Sequence, residues 1–286
     1  MTHSLQNNTD WHAYELRSQS SSKTSKLSAQ AQQLFLKVKH AIIEATESQD
    51  LEFEGVDSQS GIVISRSLSE TPEIERILPR ITFNSVTQVL RIKIMPTELH
   101  DCHQLWMKNG MRHMLTDGFL NEAEFDYLDM RVGTRFEGFQ PPYTFSSKEP
   151  DLAIRPDGVA LPTVVVESGW SESLSRLRED MQLWLEGGTP LVQLVLLIKW
   201  SRLSGNRVKG SLEVYGRNSA GIPMLLQTES IFPVPTTPAV ISISRSQLFG
   251  STIFAGRNST DTHQLSVTRL QAIALPWIQN LGCTPV

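Results

Sequence analysis

Cysteine is nearly absent. The two that occur, Cys102 and Cys283, lie far apart in the chain, so neither a disulfide framework nor a paired-cysteine metal site is available. Apolar runs are short, and none approaches the roughly 20 residues that cross a bilayer. The N-terminus lacks the charged-then-apolar order of a signal peptide, so the expected setting is intracellular, cytoplasm or nucleus, with no membrane partner. Excess positive charge is missing too. A formal net charge of −4 excludes a chain whose whole surface coats nucleic acid, while a local basic groove stays possible. Nothing in the composition sets the oligomeric state. What is present is an ordinary globular balance, 40% hydrophobic and 20% charged over 286 residues, enough for a sizeable core.

Residues 1–28 are rich in Ser, Gln, Asn and Thr and read as a disordered polar tail. Residues 29–286 read as one domain. Leu34, Phe35, Val38, Ile42 and Ile43 recur at helical spacing over 29–47. Gly61-Ile-Val-Ile-Ser reads as a short β-rich run. Ile81-Thr-Phe and Val89 to Met95 read as a hairpin in which Arg91 and Lys93 alternate with Leu90, Ile92 and Ile94, giving one buried and one wet face. Thr97 is placed to cap a helix reaching about Leu115. Residues 125–132 alternate like a strand. Asp151 to Arg155 and Thr163 to Glu167 read as strands, the second apolar enough for burial on both faces. A helix over 173–186 leads to a strand over Leu191–Ile198, and strand, helix and strand in that order predict a parallel crossover unit. Beyond residue 200 the pattern is β-rich, with a last helix over about 265–281 that Pro276 is expected to bend or interrupt.

The residues that could carry chemistry are acids. Asp151 follows Lys148-Glu-Pro, and Glu167 comes 16 residues later at the end of a Val-rich strand. A carboxylate at the start of one strand and another at the end of its neighbour can converge at a sheet edge. There they would suit a hard divalent cation, which lowers the pKa of bound water and steadies a phosphorane-like transition state.

Met95-Pro-Thr-Glu-Leu-His100-Asp101, Ser147-Lys-Glu-Pro-Asp151 and Pro162-Thr-Val-Val-Val-Glu167-Ser-Gly-Trp-Ser-Glu-Ser173 together resemble the PD-(D/E)XK nuclease core, and more closely a set of fungal proteins of unassigned function with that fold. The resemblance covers about a third of the chain. It implies an α/β fold bordering on α+β, a restriction-endonuclease-like mixed β-sheet flanked by helices. The core would span about 98–200, with N- and C-terminal additions. It also implies a metal-dependent nuclease acting on nucleic-acid phosphodiesters, with Asp101, Asp151 and Glu167 holding Mg²⁺ or Mn²⁺.

One position departs from the pattern. Glu-x-Lys reads Glu167-Ser168-Gly169, and glycine cannot polarise water. Lys199, Lys148 and Arg178 are the candidate substitutes. The alternative from another class is a catalytically inactive binding or scaffold protein, which Gly169 and the short Asp101 both motivate. Taken singly, Pro150-Asp151 also reads as a turn opener, and Glu167 as a strand-end partner of Arg176 or Arg178.

Lys199, Arg202, Arg207, Lys209 and Arg217 put five positive charges within 19 residues against the single acid Glu213. The first four are candidate phosphate contacts, set against the simpler reading of a solvated hairpin with snorkelling side chains. His100 and His103 share a helix face and read as a packed pair or a weak metal site. Gly169-Trp-Ser171-Glu-Ser173 nearly spells a nucleophile elbow, which would make Ser171 a hydrolase nucleophile. Ser173 in place of the last glycine, and His263 as the only later histidine, argue against it, leaving Ser171 or Ser173 to cap the helix.

Overall fold

A computed structural model of the chain describes residues 28–170, 172–218 and 220–286. Of the expected polar tail only Ser28 falls among them. Its hydroxyl accepts from the Ala31 amide at 3.1 Å and caps α1 (Ala29–Ile43), which buries Ala31, Phe35, Val38 and Ile42 along one stripe. After β1 (Gln49–Phe53) comes α2 (Ser58–Ser69), where a β-rich run was expected. Ile62, Val63 and Ile64 favour strands by propensity. The Asp57 carboxylate nonetheless caps the Ser60 amide at 3.0 Å, and Ser60, Gly61, Ile64, Ser65 and Leu68 are buried at helical spacing. A local cap and a continuous buried face outweigh β-branching here.

Helix α3 (Pro72–Glu75) leads to the expected hairpin of β2 (Arg80–Asn84) and β3 (Val89–Ile94), with β1 on the other side of β3, all antiparallel. These elements share one apolar cluster that includes Phe35, Ile64, Phe83 and Ile92. Gly61 lets α2 close on β2, since a Cβ there would stand 2.1 Å from Cζ of Phe83. Gly61→Ala should therefore overpack the cluster by about 1–3 kcal/mol. A thermal melt followed by circular dichroism checks this; a wild-type Tm would mean that Phe83 moves aside freely.

The Thr97 hydroxyl accepts from the His100 amide at 3.2 Å and starts α4 (Glu98–Thr116), as expected. The strand expected over 125–132 shrinks to β4 (Leu128–Arg131), because Asn121 and Glu124 form a capping box that winds α5 (Glu122–Asp126) ahead of it. Then come β5 (Leu152–Pro156), β6 (Val164–Gly169) and α6 (Leu174–Gln182), which runs on as one π-helical turn, Leu183–Gly187. The remaining elements are β7 (Leu194–Leu203), β8 (Arg207–Arg217), β9 (Pro223–Phe232), β10 (Val240–Ser244), α7 (Arg245–Phe249), β11 (Thr262–Ser266), α8 (Val267–Asn280) and β12 (Thr284–Pro285). Helix α8 continues through Pro276, which sits on its exposed side.

The main sheet has seven strands in the order β12-β8-β7-β6-β5-β4, with β9 also on β8. Strands β6 and β7 pair in parallel as expected, β12 pairs β8 in parallel, and the other neighbours are antiparallel. Alternate residues of β6 and β7 enter two apolar clusters. One holds Val164, Val166, Leu196 and Ile198 with Trp106 of α4 and Leu270 of α8. The other holds Val165, Val195 and Leu197 with Leu177 of α6 and Trp184. Helices thus flank a mixed sheet on both faces, the α/β class expected. Among the described residues no helix is long and apolar enough to cross a membrane.

Candidate functional site

The β5–β6 register pairs Leu152 with Val166, so one step outward Asp151 stands opposite Glu167. Both acids are buried, at 1% and 2% exposure. Asp151 Oδ2 accepts the Ser168 amide at 2.7 Å, and Arg80 of β2 donates to Oδ1. The Lys93 ammonium, from β3, lies 3.4 and 3.3 Å from the two oxygens, and His100 Nε2 lies 3.3 Å from Oδ2. The first turn of α4 also brings Asp101, whose Oδ1 receives His100 Nδ1 at 2.7 Å and Arg80 at 3.2 Å. Asp101 and Asp151 are therefore joined through the Arg80 guanidinium.

Glu167 takes other partners. Trp184, on the π-helical turn, donates its indole N–H to Oε1 at 2.6 Å, and the Lys148 ammonium lies 3.4 Å from the same atom. Lys148 is drawn closer to Asp180 of α6, at 2.7 Å. Arg91 of β3 completes the cluster, 3.7 Å from Glu172, 3.4 Å from Asp180, 2.7 Å from Glu52 and 2.8 Å from Glu179. The polar faces of β2 and β3 thus lie over the acid end of β5 and β6. A cavity of about 40 Å³ remains between them, lined in part by Arg80, Lys93, Lys148, Asp151, Glu167 and Glu172. It has room for a few waters.

This environment drives the acid pair apart in proton affinity. Burial opposes charge on Asp151, but Lys93, His100 and Arg80 hold it well below the usual aspartate value. Burial pushes Glu167 up to about 7 against the pull of Lys148, with the Asp151 and Asp180 charges adding to the rise. Burial likewise raises Glu172, and lifts Glu149 to about 7. Lys93 and Lys148 are desolvated, yet the surrounding carboxylates keep both above an ordinary lysine. Desolvation also works against a charged His100, and Asp151 and Asp101 outweigh it to raise this imidazole.

The expected lysine substitutes divide. Lys148 reaches Glu167, whereas Lys199 donates to the backbone carbonyls of Trp170, at 2.8 Å, and Trp200. Lys199 is thus held by carbonyls and makes no ion pair with Asp151 or Glu167 among the described residues. Arg178 pairs with Glu213 at 3.0 Å and Arg176 with Glu52, so neither serves Glu167. At Gly169 a Cβ would stand 3.1 Å from Leu177 Cδ1 and 3.2 Å from Glu172 Cβ, so a side chain there would need these neighbours to give by a few tenths of an ångström.

The basic cluster does not form one surface. Leu203 pairs with Arg207 and Ser201 with Lys209, so Arg207 and Lys209 share a hairpin face while Arg202, between Ser201 and Leu203, projects to the other. Arg202 bonds Asn206 at 2.8 Å. Arg217 donates to the carbonyls of Val192, Gly221 and Leu185.

His103 is a packed histidine. Its Nδ1 bonds the His100 carbonyl at 2.8 Å, Nε2 is buried without a partner among the described residues, and burial holds its pKa down at about 4. Ser171 lies outside the described residues. Ser173 caps α6 through the Arg176 amide at 3.3 Å, and His263 faces Asp117 at 3.3 Å.

The donors present do not fit a divalent metal as arranged. Among the described residues no group of three or more His, Cys, Asp or Glu side chains is placed to hold a metal ion. The lone pairs that would ligate Mg²⁺ or Mn²⁺ already accept from Arg80, Lys93, His100 and Lys148. A dication would also meet those positive charges at close range.

Sequence reasoning missed Arg80, Arg91, Lys93, Glu172 and Asp180. Arg91 and Lys93 were visible as the polar face of β3, but alternation cannot distinguish a face turned to water from one turned to buried acids. Glu172 and Asp180 carried no spacing signal of their own. No protein-family model matches the chain, and a search of curated proteins finds no match.

Proposed function

We propose that this chain is a nuclease-fold binding or scaffold protein whose acid site holds internal cations in place of a catalytic metal. The observation that carries this reading is the saturation of Asp151: Arg80 and Lys93 at one oxygen, and Lys93, His100 and the Ser168 amide at the other. A site neutralised from within stabilises the junction of two sheets, and it offers no open position to a substrate oxygen. Binding then falls to the outer surface, where the exposed Arg207 and Lys209 are the phosphate contacts this reading retains.

One observation favours a second reading, a Mg²⁺- or Mn²⁺-dependent nuclease acting on nucleic-acid phosphodiesters. Lys148 stands 3.4 Å from Glu167, so an ammonium is present beside the acid pair although Gly169 lacks one. That reading requires Lys93 to leave Asp151 first.

The deciding experiment is a cleavage assay with Mg²⁺ and Mn²⁺ on single- and double-stranded DNA and RNA, run beside Glu167→Ala. The expected result is no cleavage by either protein. Metal-dependent cleavage by the wild type that Glu167→Ala abolishes would overturn the binding reading in favour of the second.

A further inference from the structure

The apolar core is divided. Every member of the cluster around Phe35, Ile64, Phe83 and Ile92 lies between Ala31 and Ile94, while the two clusters on the main sheet begin at Leu99 and Phe136. No apolar cluster among the described residues spans the boundary. The chain crosses it at Met95-Pro96-Thr97, where Met95 is exposed and holds φ at 47°, a left-handed value that a side chain adopts at a cost.

What joins the two sides is polar. Strand β2 is an edge of its own sheet, and its outward amides turn to the main body. Phe83 donates to the Ser147 carbonyl at 2.8 Å, Ser85 to the Ser146 hydroxyl at 2.9 Å and Ile81 to the Glu149 carboxylate at 3.3 Å. The Ser147 amide returns a bond to the Phe83 carbonyl at 2.9 Å. The ion pairs of Arg80, Arg91 and Lys93 cross the same boundary, and Arg66 adds one to Glu137 at 2.6 Å. Separating an apolar interface exposes hydrocarbon to water at about 25 cal/mol per Å². Separating this one lets charged groups, hydroxyls and amides regain water, which offsets much of the lost attraction. The boundary is therefore where the fold opens first, at a lower cost than melting either side.

We propose that residues 28–94 form a lobe that lifts from the main sheet as an intact unit, turning at Met95–Thr97, and so gates the acid site. Docked, the lobe holds Arg80 and Lys93 against Asp151. Lifted, it carries both cations away, and Asp151 and Glu167 meet solvent with Lys148 still beside them. The proposal goes beyond the binding reading and does not depend on how the cleavage assay falls.

The test follows amide hydrogen exchange by NMR in the full chain. The Ile81, Phe83, Ser85 and Ser147 amides bond across the boundary and report lifting. They should exchange together, at least about a hundredfold faster than amides of the central strand β7. The Ile92 amide of β3 should stay slow, because the lobe keeps its core. The Ser65 and Ser147 hydroxyls stand 3.1 Å apart across the boundary, so a disulfide joining Ser65→Cys to Ser147→Cys would hold it shut. Oxidised, this double variant should exchange Ile81, Phe83 and Ser85 at least about tenfold more slowly than when reduced. Reporters that exchange no faster than β7 overturn the proposal. So does an Ile92 amide that exchanges along with them, which would mean that the lobe melts instead of lifting. Reporter rates that the disulfide leaves unchanged overturn it as well.

Discussion

Asp151→Ala is expected to lower the melting temperature by about 10 °C at pH 7, following from roughly 3–5 kcal/mol for stranding buried charges and about 2–4 °C per kcal/mol in a chain of this size. The loss is large because one carboxylate serves several donors. Without it Arg80 keeps only Asp101, Lys93 keeps Glu172 at 3.7 Å, and the Ser168 amide loses its acceptor. Asp151→Asn should fall between, since its carbonyl oxygen can still accept from Ser168 while the charge is gone.

The pH dependence separates charge from packing. Asp151 is held well below its ordinary 3.8, so its contribution is fully present above that value and is lost as pH falls through the lower, folded value. The Tm gap between wild type and Asp151→Ala should hold from pH 7 to about 4 and narrow below. Melts across that range check it, and a gap under about 2 °C at pH 7 would mean that the surrounding cations find water instead.

How far the sequence foretold this site can be read from particular residues. Asp151 and Glu167 were legible because strand pairing alone makes them neighbours: two short apolar runs with a turn between them have few registers, and the observed one sets 151 against 167. The parallel β6–β7 pair was legible for a similar reason, since a crossover helix leaves little choice of direction. Helix α2 was misread because three consecutive β-branched residues dominate a short window, while the decisive cap and the Phe83 contact lie outside it. The identity of the cations at the acids was not legible. Lys93 and Arg80 come from strands some 60–70 positions upstream, and nothing in their alternation says which surface they will meet. Lys199 was placed by its strand-end position, and its actual partners are carbonyls, which any strand end can offer.

Lys148→Met tests the second half of the cluster and should be the more pH-sensitive change. Lys148 is buried between Asp180 and Glu167, so its loss removes the cation that restrains two acids. Asp180 keeps Arg91 at 3.4 Å, while Glu167 keeps only the neutral indole of Trp184. Glu167 already has a folded pKa of about 7 against an ordinary 4.5, so the folded state takes up its proton more readily than the unfolded chain does. Its effect on stability is therefore most favourable below pH 4.5 and fades as pH rises through 7. Without Lys148 that window moves higher, because the cation that most restrains the rise is gone and Lys93 offsets the new charge less. At pH 5 Glu167 is protonated with or without the lysine, and the variant should lose only a few degrees. At pH 8, one unit above the wild-type value of about 7, the variant must either keep the proton or ionise without its ammonium, and the loss should grow by about 1 kcal/mol over that at pH 5. Glu167→Gln in the Lys148→Met background imitates the protonated acid and should flatten the difference between pH 5 and 8. Melts of wild type, single and double variants at both pH values form the complete cycle. A deficit in Lys148→Met that is equal at pH 5 and 8 would assign the damage to lost packing of the lysine stem rather than to the charge on Glu167.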